Sequence, residues 1–396
     1  MSGIKYLPID LDIENKSILV RLDLNVPIKD KKIQDHTRIY SSLPLLKDLI
    51  KRKAKIIIIT HLGRPKGIKN KDLSLTPIYK FLKEKLDTNL YFFTGNIDSE
   101  TKKKSSYLKA GEILLLDNIR FFKGESENDD DFAKNLSGLG DIYINDAFSC
   151  SHREQASIHK ITKYVKQCYA GPLLKTEVEA IDLVIKDKKK PVTCIIGGSK
   201  ISTKINIILN LIQKVDNIII VGAMANNFLT YKGLMIGKSL VEEGSKKIIE
   251  KIYSEVKNSD CKIIIPNDCS VSEKFEGMAL EKKIEDIKKE EMILDIGKAT
   301  IKAIVDIIQK SNTVLWNGPA GYFENENFAN GTNSIAKKIS ENTINNSLIS
   351  ILGGGDTISA VNKIEKKLTF THLSTAGGAF LEYLEGKDLP GLSVLK

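Results

Sequence analysis

The feature that most constrains this fold is an alternation of short β-branched apolar runs with longer stretches of helical period. Four isoleucines in a row occupy positions 56–59, and such a run is typical of a strand buried on both faces. The candidate strands are residues 17–22, 56–60, 113–117, 142–145, 192–196, 218–221, 262–265, 313–316 and 348–352. The candidate helices are residues 42–52, 173–185, 201–215, 246–256, 298–310 and 357–367. This alternation predicts parallel sheets flanked by helices.

The chain length predicts two such domains. With roughly 100–200 residues per domain, the 396 residues suit two doubly wound, Rossmann-like α/β domains separated by a cleft. The balance of charge changes near residue 175, where Gly171-Pro172 precedes a helical pattern. We therefore expect an N-terminal domain over residues 1–172 and a C-terminal domain from residue 173 to residue 379.

Several classes of protein are disfavoured by composition. The longest stretch without a charged residue has 15 residues, at 217–231, whereas a membrane span needs about 20 apolar residues. The first 16 residues contain no apolar core of the signal-peptide type. Five cysteines without a C-x-x-C pair disfavour a zinc site or a disulfide framework. We expect reduced thiols in a cytoplasmic protein.

Charge separates the two halves. Residues 1–175 carry 31 basic and 22 acidic side chains, and residues 176–396 carry 29 and 28. The basic half indicates a solvated surface, an acidic small molecule or a nucleic acid. The chain has 54 lysines but only six arginines, all in that half, and arginine is the residue that grips carboxylate or phosphate at two points. Apart from Arg52, which we place on the surface, these arginines are candidate anion ligands: Arg21, Arg38, Arg64, Arg120 and Arg153.

These arginines lie close to the ends of predicted strands or the start of a helix. Ligands of open parallel sheets bind beyond the carboxyl ends of strands, so the arginines predict a basic pocket for a small polyanion. The segments that carry them are 21–27, 36–38, 60–65, 117–121 and 145–153, which also contain His36, His61 and His152. Taken singly, these segments could instead have purely structural roles, as an Asx turn or a solvated loop.

Glycine-rich helix starts characterise the second half. Gly197-Gly198-Ser199-Lys200 precedes a helical pattern with Lys204, and the segments 353–357 and 374–379 repeat the theme. Backbone N–H groups at such helix starts bind phosphate. Asp356 beside phosphates would hold Mg²⁺, although the segment taken alone favours an N-cap role for it. A nucleotide site is therefore predicted in this half, with a small anion in the other.

Taken in order, the motifs resemble those of the phosphoglycerate kinase family over the whole length. The matching segments are 21–27, 61–64, 118–121, 145–153, 197–204, 222–229, 316–324, 353–357 and 374–391. The resemblance implies reversible, Mg²⁺-dependent transfer of a phosphoryl group between ATP and the carboxylate of 3-phosphoglycerate. It also implies that the last stretch, about residues 380–396, joins the N-terminal domain.

The resemblance assigns residues to both ligands and to the transfer. The 3-phosphoglycerate site would comprise Asp23, Leu24, Asn25, Arg38, His61, Leu62, Gly63, Arg64, Arg120 and Arg153. The nucleotide site would comprise Lys204, Gly297, Glu324, Gly353, Gly354, Gly355, Asp356 and Thr357, with Asp356 as the metal ligand. The transferred group would be met by Arg38, Lys200, Lys204, Gly354 and Gly377. Lys298, Ala376 and Asp117 depart from the family's usual Pro, Gly and Glu.

The implied chemistry needs no general base, because the nucleophile is a carboxylate already ionised at pH 7. Catalysis then consists of aligning the two ligands and neutralising charge on the transferred group. We expect a monomer that binds only small molecules and closes about a hinge. The alternative is a nucleic-acid-binding protein, which predicts basic stripes with interleaved aromatic residues rather than single arginines at strand ends.

Overall fold

A computed structural model describes residues 3–396, which divide into two compact units. Unit 1 is formed by residues up to Val178 together with Asp388–Lys396, and unit 2 by Glu179–Lys387. The division falls inside a continuous helix, Pro172–Ile185. The sequence prediction, based on the change of charge and pattern, places the boundary at the start of that helix. Of the C-terminal stretch expected to join the first domain, about residues 380–396, the part up to residue 387 belongs to unit 2.

Unit 1 is built on one parallel sheet. Its strands are β1 Ser17–Arg21, β2 Ile28–Lys29, β3 Lys32–Ile33, β4 Lys55–Ile59, β5 Leu90–Phe93, β6 Ile113–Leu116, β7 Ile142–Asn145 and β8 Gln167–Ala170. Its helices are α1 Thr37–Lys51, α2 Thr76–Lys85, α3 Ser99–Ser106, α4 Lys123–Ser126 and α5 Asp130–Ser137, before α6 Pro172–Ile185 leads into unit 2. The six-stranded sheet has the order β5-β6-β4-β1-β7-β8, and β2 pairs with β3.

Unit 2 has a second parallel sheet and a small antiparallel one. Its strands are β9 Val192–Ile196, β10 Asn217–Ile220, β11 Lys262–Ile264, β12 Asp268–Ser272, β13 Leu280–Lys283, β14 Met292–Ile296, β15 Thr313–Asn317, β16 Ile349–Gly353 and β17 His372–Ser374. Its helices are α7 Ile205–Ile212, α8 Ala223–Tyr231, α9 Ser245–Val256, α10 Lys298–Lys310, α11 Asn330–Asn345, α12 Gly355–Asn362 and α13 Gly378–Leu384, and α14 Pro390–Ser393 returns to unit 1. The sheets have the orders β11-β10-β9-β15-β16-β17 and β13-β12-β14.

Both six-stranded sheets confirm the predicted doubly wound α/β class. The isoleucine run forms β4, whose Ile56 to Ile59 are fully buried between two layers of helices. One apolar layer lies on each face of this sheet, so neighbouring residues of β4 belong to different core clusters. Such two-sided burial is the reason the strand lacks polar alternation.

The order of the strands reverses at one point in each sheet. In unit 1 the chain leaves β1 towards β4 and later reaches β7 on its other side, and in unit 2 β9 is flanked in the same way by β10 and β15. Connections diverge at such a switch point and leave a crevice at the carboxyl ends of the strands, where ligands bind. The predicted functional segments follow these central strands.

The last nine residues are fastened to unit 1 by backbone hydrogen bonds. The N–H of Lys5 donates to the carbonyl of Leu395 at 2.7 Å, and the N–H of Gly391 donates to that of Ser151 at 2.8 Å. A side chain at Gly391 would lie 2.7 Å from Ile158 and 2.9 Å from the Ser151 backbone. The close approach explains why glycine occupies this position.

Candidate active sites of the two units

The segment after β1 is bonded to the segment after β4. The N–H of Gly63 donates to Asn25 Oδ1 at 2.9 Å, and the N–H of Leu24 donates to Thr60 Oγ1 at 3.0 Å. The side chains of Leu24 and Leu62 lie in the core, so only their backbone atoms are near a ligand site. These bonds hold the two strand-end loops as one surface at the switch point of unit 1.

Arg38 lies in the first turn of α1 and points to the same surface. Its Nη1 atom lies 2.6 Å from Asp23 Oδ2 and 3.1 Å from the carbonyl oxygen of Asn25. Asp23 also accepts a hydrogen bond from the hydroxyl of Ser149, in the segment after β7. Asp23 thus links three segments from the carboxyl edge of the sheet.

Arg120 follows β6 and is almost completely buried. Its Nη1 donates to the carbonyl of Gly63 at 2.9 Å, while its Nε is buried without a hydrogen-bond partner among the described residues. Burial lowers the pKa of this guanidinium, and nearby Arg21 and Arg153 act in the same direction. Buried donors normally have partners, so the orphaned Nε is a cationic donor suited to an anion.

Arg64 and Arg153 are exposed at the same edge, whereas Arg21 is fully buried. Arg21 donates from Nε to Ser157 Oγ at 2.9 Å and from Nη2 to His61 Nδ1 at 3.2 Å. The expectation that Arg21 is an anion ligand is therefore wrong. It is the last residue of β1, and its position in the strand directs the side chain inward.

The remaining histidines of the predicted pocket differ in setting. His36 packs against aromatic rings, 4.6 Å from Phe81 and 6.0 Å from Tyr40 between centroids. His152 accepts from Arg153 Nε at 3.2 Å. Of the three, only His61 is buried among the arginines.

Asp23, His61 and Cys150 have potential ligand atoms within 4.8 Å of one another. Burial raises the pKa of the Cys150 thiol, although a metal requires the thiolate. The surrounding arginines further disfavour a cation. These three residues therefore do not suit a metal.

In unit 2 the loops after β9 and β15 approach so closely that they require glycine. A side chain on Gly197 would lie 2.3 Å from the carbonyl oxygen of Pro319, and one on Gly318 would lie 2.4 Å from the Gly197 backbone. Gly318 also has a φ of +103°, which favours glycine. Beside this contact is a cavity of about 230 Å³ lined by residues that include Gly198, Gly222, Ala320, Tyr322, Glu324 and Asp356.

Lys204 and Asn317 connect this cavity with the glycine-rich start of α12. Lys204 Nζ donates to Asn317 Oδ1, and Asn317 Nδ2 donates to the carbonyl of Gly353 at 2.6 Å. Burial lowers the pKa of Lys204, and the negative charge of Asp356 opposes that effect. A partly desolvated ammonium group is thus positioned beside free backbone donors, whereas Lys200 is exposed.

The residues of the segment 353–357 differ in backbone conformation and burial. Gly354 has a φ of +97° and directly precedes α12, while Gly353 packs against the ring of Phe380. Asp356 is exposed in the first turn of α12. Thr357 is fully buried, and its hydroxyl accepts the N–H of Gly318 at 2.7 Å. Its side chain therefore holds the β15 loop.

Two of the three departures from the family pattern, Lys298 and Ala376, lie at helix starts. Gly297 precedes α10, where Asp268 accepts the N–H groups of Ala299 and Thr300 at 2.8 Å. Gly297 adjoins the cavity-lining Ile296. Ala376 is buried, and the next residue, Gly377, has a φ of +57°. The positive φ lies at Gly377, so an alanine at 376 is accommodated.

Sequence patterns did not single out several residues of the unit 2 site. Phe275 and Asp295 line the cavity, and they lie in or beside the antiparallel sheet, whose strands show no clear period. Phe275 packs edge-on against Tyr322 with ring centroids 5.2 Å apart. Asp295 accepts the N–H of Gly331 at 2.8 Å, and burial raises its pKa from 3.8 to about 7. A conserved pattern in aligned relatives would be the signal that identifies such positions.

Comparisons with known proteins point to a single family. The profile of the family described as phosphoglycerate kinase matches residues 9–387. The chain is 43% identical over 387 residues to the phosphoglycerate kinase of a Wolbachia strain from Drosophila simulans, covering 97% of each chain. It is 42% identical over 388 residues to that of Rhizobium meliloti, again covering 97% of each.

Solved structures are also similar. The phosphoglycerate kinase of Coxiella burnetii superimposes with a TM-score of 0.91 at 38% identity, covering 98% of this chain and 97% of the other. That of Pyrococcus horikoshii gives a TM-score of 0.80 at 29% identity, with 98% of both chains covered. Among the described residues, no helix is long and apolar enough to cross a membrane.

Proposed function

Because the chain belongs to the phosphoglycerate kinase family, a family of glycolytic phosphotransferases, we propose that unit 1 binds 3-phosphoglycerate and unit 2 binds the nucleotide. The observation that carries the first assignment is the buried, unpartnered Nε of Arg120 beside Arg38 and His61. An acid substrate with a phosphate and a carboxylate supplies the acceptors that such donors need.

The proposed acid site uses side chains and backbone groups from both strand-end loops. Asp23 and Asn25 accept from the substrate's hydroxyl, while guanidinium groups bind its anionic ends. The complete set is Asp23, Leu24, Asn25, Arg38, His61, Leu62, Gly63, Arg64, Arg120 and Arg153, with the two leucines acting through backbone atoms.

The proposed nucleotide site lies at the cavity of unit 2. Its glycines let phosphates approach N–H groups at the start of α12, and Glu324 at the cavity rim accepts from the ribose. The complete set is Lys204, Gly297, Glu324, Gly353, Gly354, Gly355, Asp356 and Thr357, with Thr357 acting through the loop it holds.

Asp356 fits a magnesium ion brought by the nucleotide. Its carboxylate is exposed in the first turn of α12, and Mg²⁺ typically binds through one or two carboxylates together with substrate phosphates and waters. When bound, the ion neutralises charge on the phosphates. Asp356 without a cation would repel those phosphates, so the carboxylate itself argues for one.

The chain's own contribution to transfer is electrostatic. The attacking carboxylate is already ionised, so no residue removes a proton. Arg38, Lys200 and Lys204 neutralise charge on the transferred phosphoryl group, and backbone N–H groups near Gly354 and Gly377 complete its surroundings. Half-burial of Lys204 strengthens its charge interaction, because the local dielectric is below that of water.

Since the two reactants are assigned to different units, we infer that the units close about a hinge to bring them in line and exclude water. We further propose a cytoplasmic monomer that uses only small-molecule partners. All five cysteines are unpaired, as in a reducing compartment. The nucleic-acid alternative has no support from the comparisons. The two most buried arginines, Arg21 and Arg120, are also too buried to contact a nucleic-acid strand lying on the protein surface.

The test is a coupled assay of ATP consumption by the full chain in the presence and absence of 3-phosphoglycerate. We expect consumption only with both substrates, and loss of activity in Lys204→Ala. Lys257→Ala, an exposed lysine after α9, is the matched control and should be active. ATP consumption independent of 3-phosphoglycerate would overturn the assignment.

A further inference from the structure

A chain of four buried polar side chains leads from the interior of unit 1 to its acid site. Glu125 Oε1 accepts from Ser157 Oγ at 2.7 Å, and Ser157 Oγ accepts from Arg21 Nε at 2.9 Å. Arg21 Nη2 then lies 3.2 Å from His61 Nδ1. Glu125, Ser157 and Arg21 are fully buried and His61 is 3% exposed.

The donors of Arg21 are directed at protein atoms. Besides the bonds to Ser157 and His61, its Nη1 donates to the carbonyl of Leu22, and Nη2 lies 3.9 Å from Cys150 Sγ. No side of the guanidinium fork remains for a ligand. Any effect of Arg21 on substrate must therefore pass through a neighbour, and His61 is the neighbour at the acid site.

The contact determines which nitrogen of His61 carries the proton. A guanidinium only donates hydrogen bonds, so His61 Nδ1 must accept with its lone pair. A neutral imidazole with an unprotonated Nδ1 carries its proton on Nε2. The tautomer follows from the chemistry of the partner.

The surroundings also keep the ring neutral. Burial lowers the pKa of His61 well below 6.5, and the charges of Arg21, Arg120, Arg38 and Arg153 act in the same direction. The other titratable groups near the ring are Asp23 and Cys150, of which Asp23 is bonded to Arg38 and Ser149 and Cys150 has a raised thiol pKa. Protonated Nδ1 would also place two donors face to face.

We propose that Arg21, anchored by Ser157 and Glu125, is a positioning residue that holds His61 as the neutral Nε2–H tautomer, an uncharged hydrogen-bond donor for the acid substrate. The ligand-binding part of this inference rests on the proposed function of unit 1. A neutral Nε2–H group among arginines can orient the substrate by a hydrogen bond. It adds no charge repulsion between His61 and those arginines. Glu125 lies beyond Ser157 in the same buried chain, where burial raises its pKa and the charge of Arg21 acts in the opposite direction.

The first test is ¹⁵N NMR of the ligand-free full chain, with the His61 ring assigned by its loss in His61→Gln. We expect a lone-pair signature at Nδ1 and a protonated signature at Nε2, unchanged between pH 8 and pH 6. Arg21→Met should mix the tautomers because its side chain has no donor, and Ser157→Ala, a smaller change, should do so partly. A proton on Nδ1 in the wild-type chain would overturn the proposal.

The second test is a double-mutant cycle on 3-phosphoglycerate affinity, measured by calorimetry. Glutamine at 61 keeps a donor near the Nε2 position but has no tautomers. We expect Arg21→Met to weaken binding roughly tenfold in the wild-type background, as for one hydrogen bond to a charged group, and to have no further effect in His61→Gln. Equal losses in both backgrounds would overturn the inference, because Arg21 would then act independently of His61.

The two tests separate this inference from the proposed function. The tautomer is read without substrate, so the expected NMR signature together with no binding of 3-phosphoglycerate would refute the acid-site assignment alone. Binding with the other tautomer would refute the role of Arg21 alone.

Discussion

Arg38 Nη1 lies 2.6 Å from Asp23 Oδ2, so the proposed catalytic arginine is held by a carboxylate from the neighbouring strand-end loop. The side chain of Arg38 is 29% exposed and that of Asp23 is 11% exposed. This pairing fixes the direction of the guanidinium before any ligand binds. An arginine oriented in this way can meet developing charge with little reorganisation.

We predict that Arg38→Ala lowers kcat by about 10³, the low end for arginines in phosphoryl transfer, and changes KM less. Arg38→Lys should recover only part, because a point charge lacks the fork. The Arg38→Ala, Lys204→Ala double variant should lose less than the product of the single losses, since both act on one phosphoryl group. Steady-state kinetics at saturating substrates decide this, and a near-normal kcat for Arg38→Ala would contradict it.

Substitution of Arg64 tests whether the two-point geometry of a guanidinium group matters at an exposed position of the acid site. We predict that Arg64→Lys weakens 3-phosphoglycerate binding although the charge is kept. Arg52→Lys is the control, because the Arg52 side chain, 19% exposed, bonds Asp48 and the carbonyl of Leu11 rather than residues of the acid site. Calorimetry should show a loss only for Arg64→Lys, and equal affinities would make Arg64 a surface residue.

The excess positive charge of the first half predicts a difference in salt dependence. Screening over a Debye length of about 8 Å at 0.15 M weakens steering of the polyanion. KM for 3-phosphoglycerate should therefore rise more steeply with ionic strength than KM for ATP, measured at fixed free Mg²⁺. Parallel slopes would argue against placing the acid in the basic half.

Asp356→Asn should raise the Mg²⁺ concentration needed for half-maximal activity by roughly 10-fold, because the site loses an oxygen ligand charge. Glu365→Gln removes an equally exposed carboxylate from unit 2 and should leave the Mg²⁺ dependence unchanged. Titration of activity with Mg²⁺ at constant ATP measures both. An unaltered curve for Asp356→Asn would reduce this residue to a helix cap.

The buried Asp295 should make the stability of unit 2 depend on pH. Burial raises its pKa from 3.8 to about 7, so the folded chain keeps a proton that the unfolded chain releases. This contribution is fully present below about pH 3.8 and is lost as pH rises through about 7, a change of roughly 4 kcal/mol. Asp295→Asn lacks the ionisation and should gain stability relative to the wild type between pH 4.5 and pH 7.5.

Urea unfolding followed by the fluorescence of Trp316 measures this effect. Trp316 is the single tryptophan and is buried in β15, so it reports on unit 2. Asp306→Asn, an exposed position of α10, is the control and should not alter the pH dependence. A constant difference between wild type and Asp295→Asn at all pH values would contradict a raised pKa.

Much of the fold was accessible from local pattern. Buried parallel strands such as β4 and β9 are continuous β-branched runs. Such a run can be recognised in the sequence without knowing which strands pair with it. The edge strands β5 and β17 were not predicted, because they are short and partly exposed and lack such a run. The helical period of α1 was recognised only from residue 42, although Arg38 was placed at a helix start, and the structure shows one helix from Thr37 with Pro44 inside it.

The sequence by itself determined the α/β class, the positions of the central strands and the concentration of arginines in one half, because these depend on residue type and short-range spacing. Only the tertiary structure decided which arginines face a ligand. Arg21 and Arg38 look alike locally, but Arg21 is directed to Ser157, 136 residues away, and Arg38 to Asp23. Burial and hydrogen-bond partners arise from contacts between distant segments, and no local pattern encodes them.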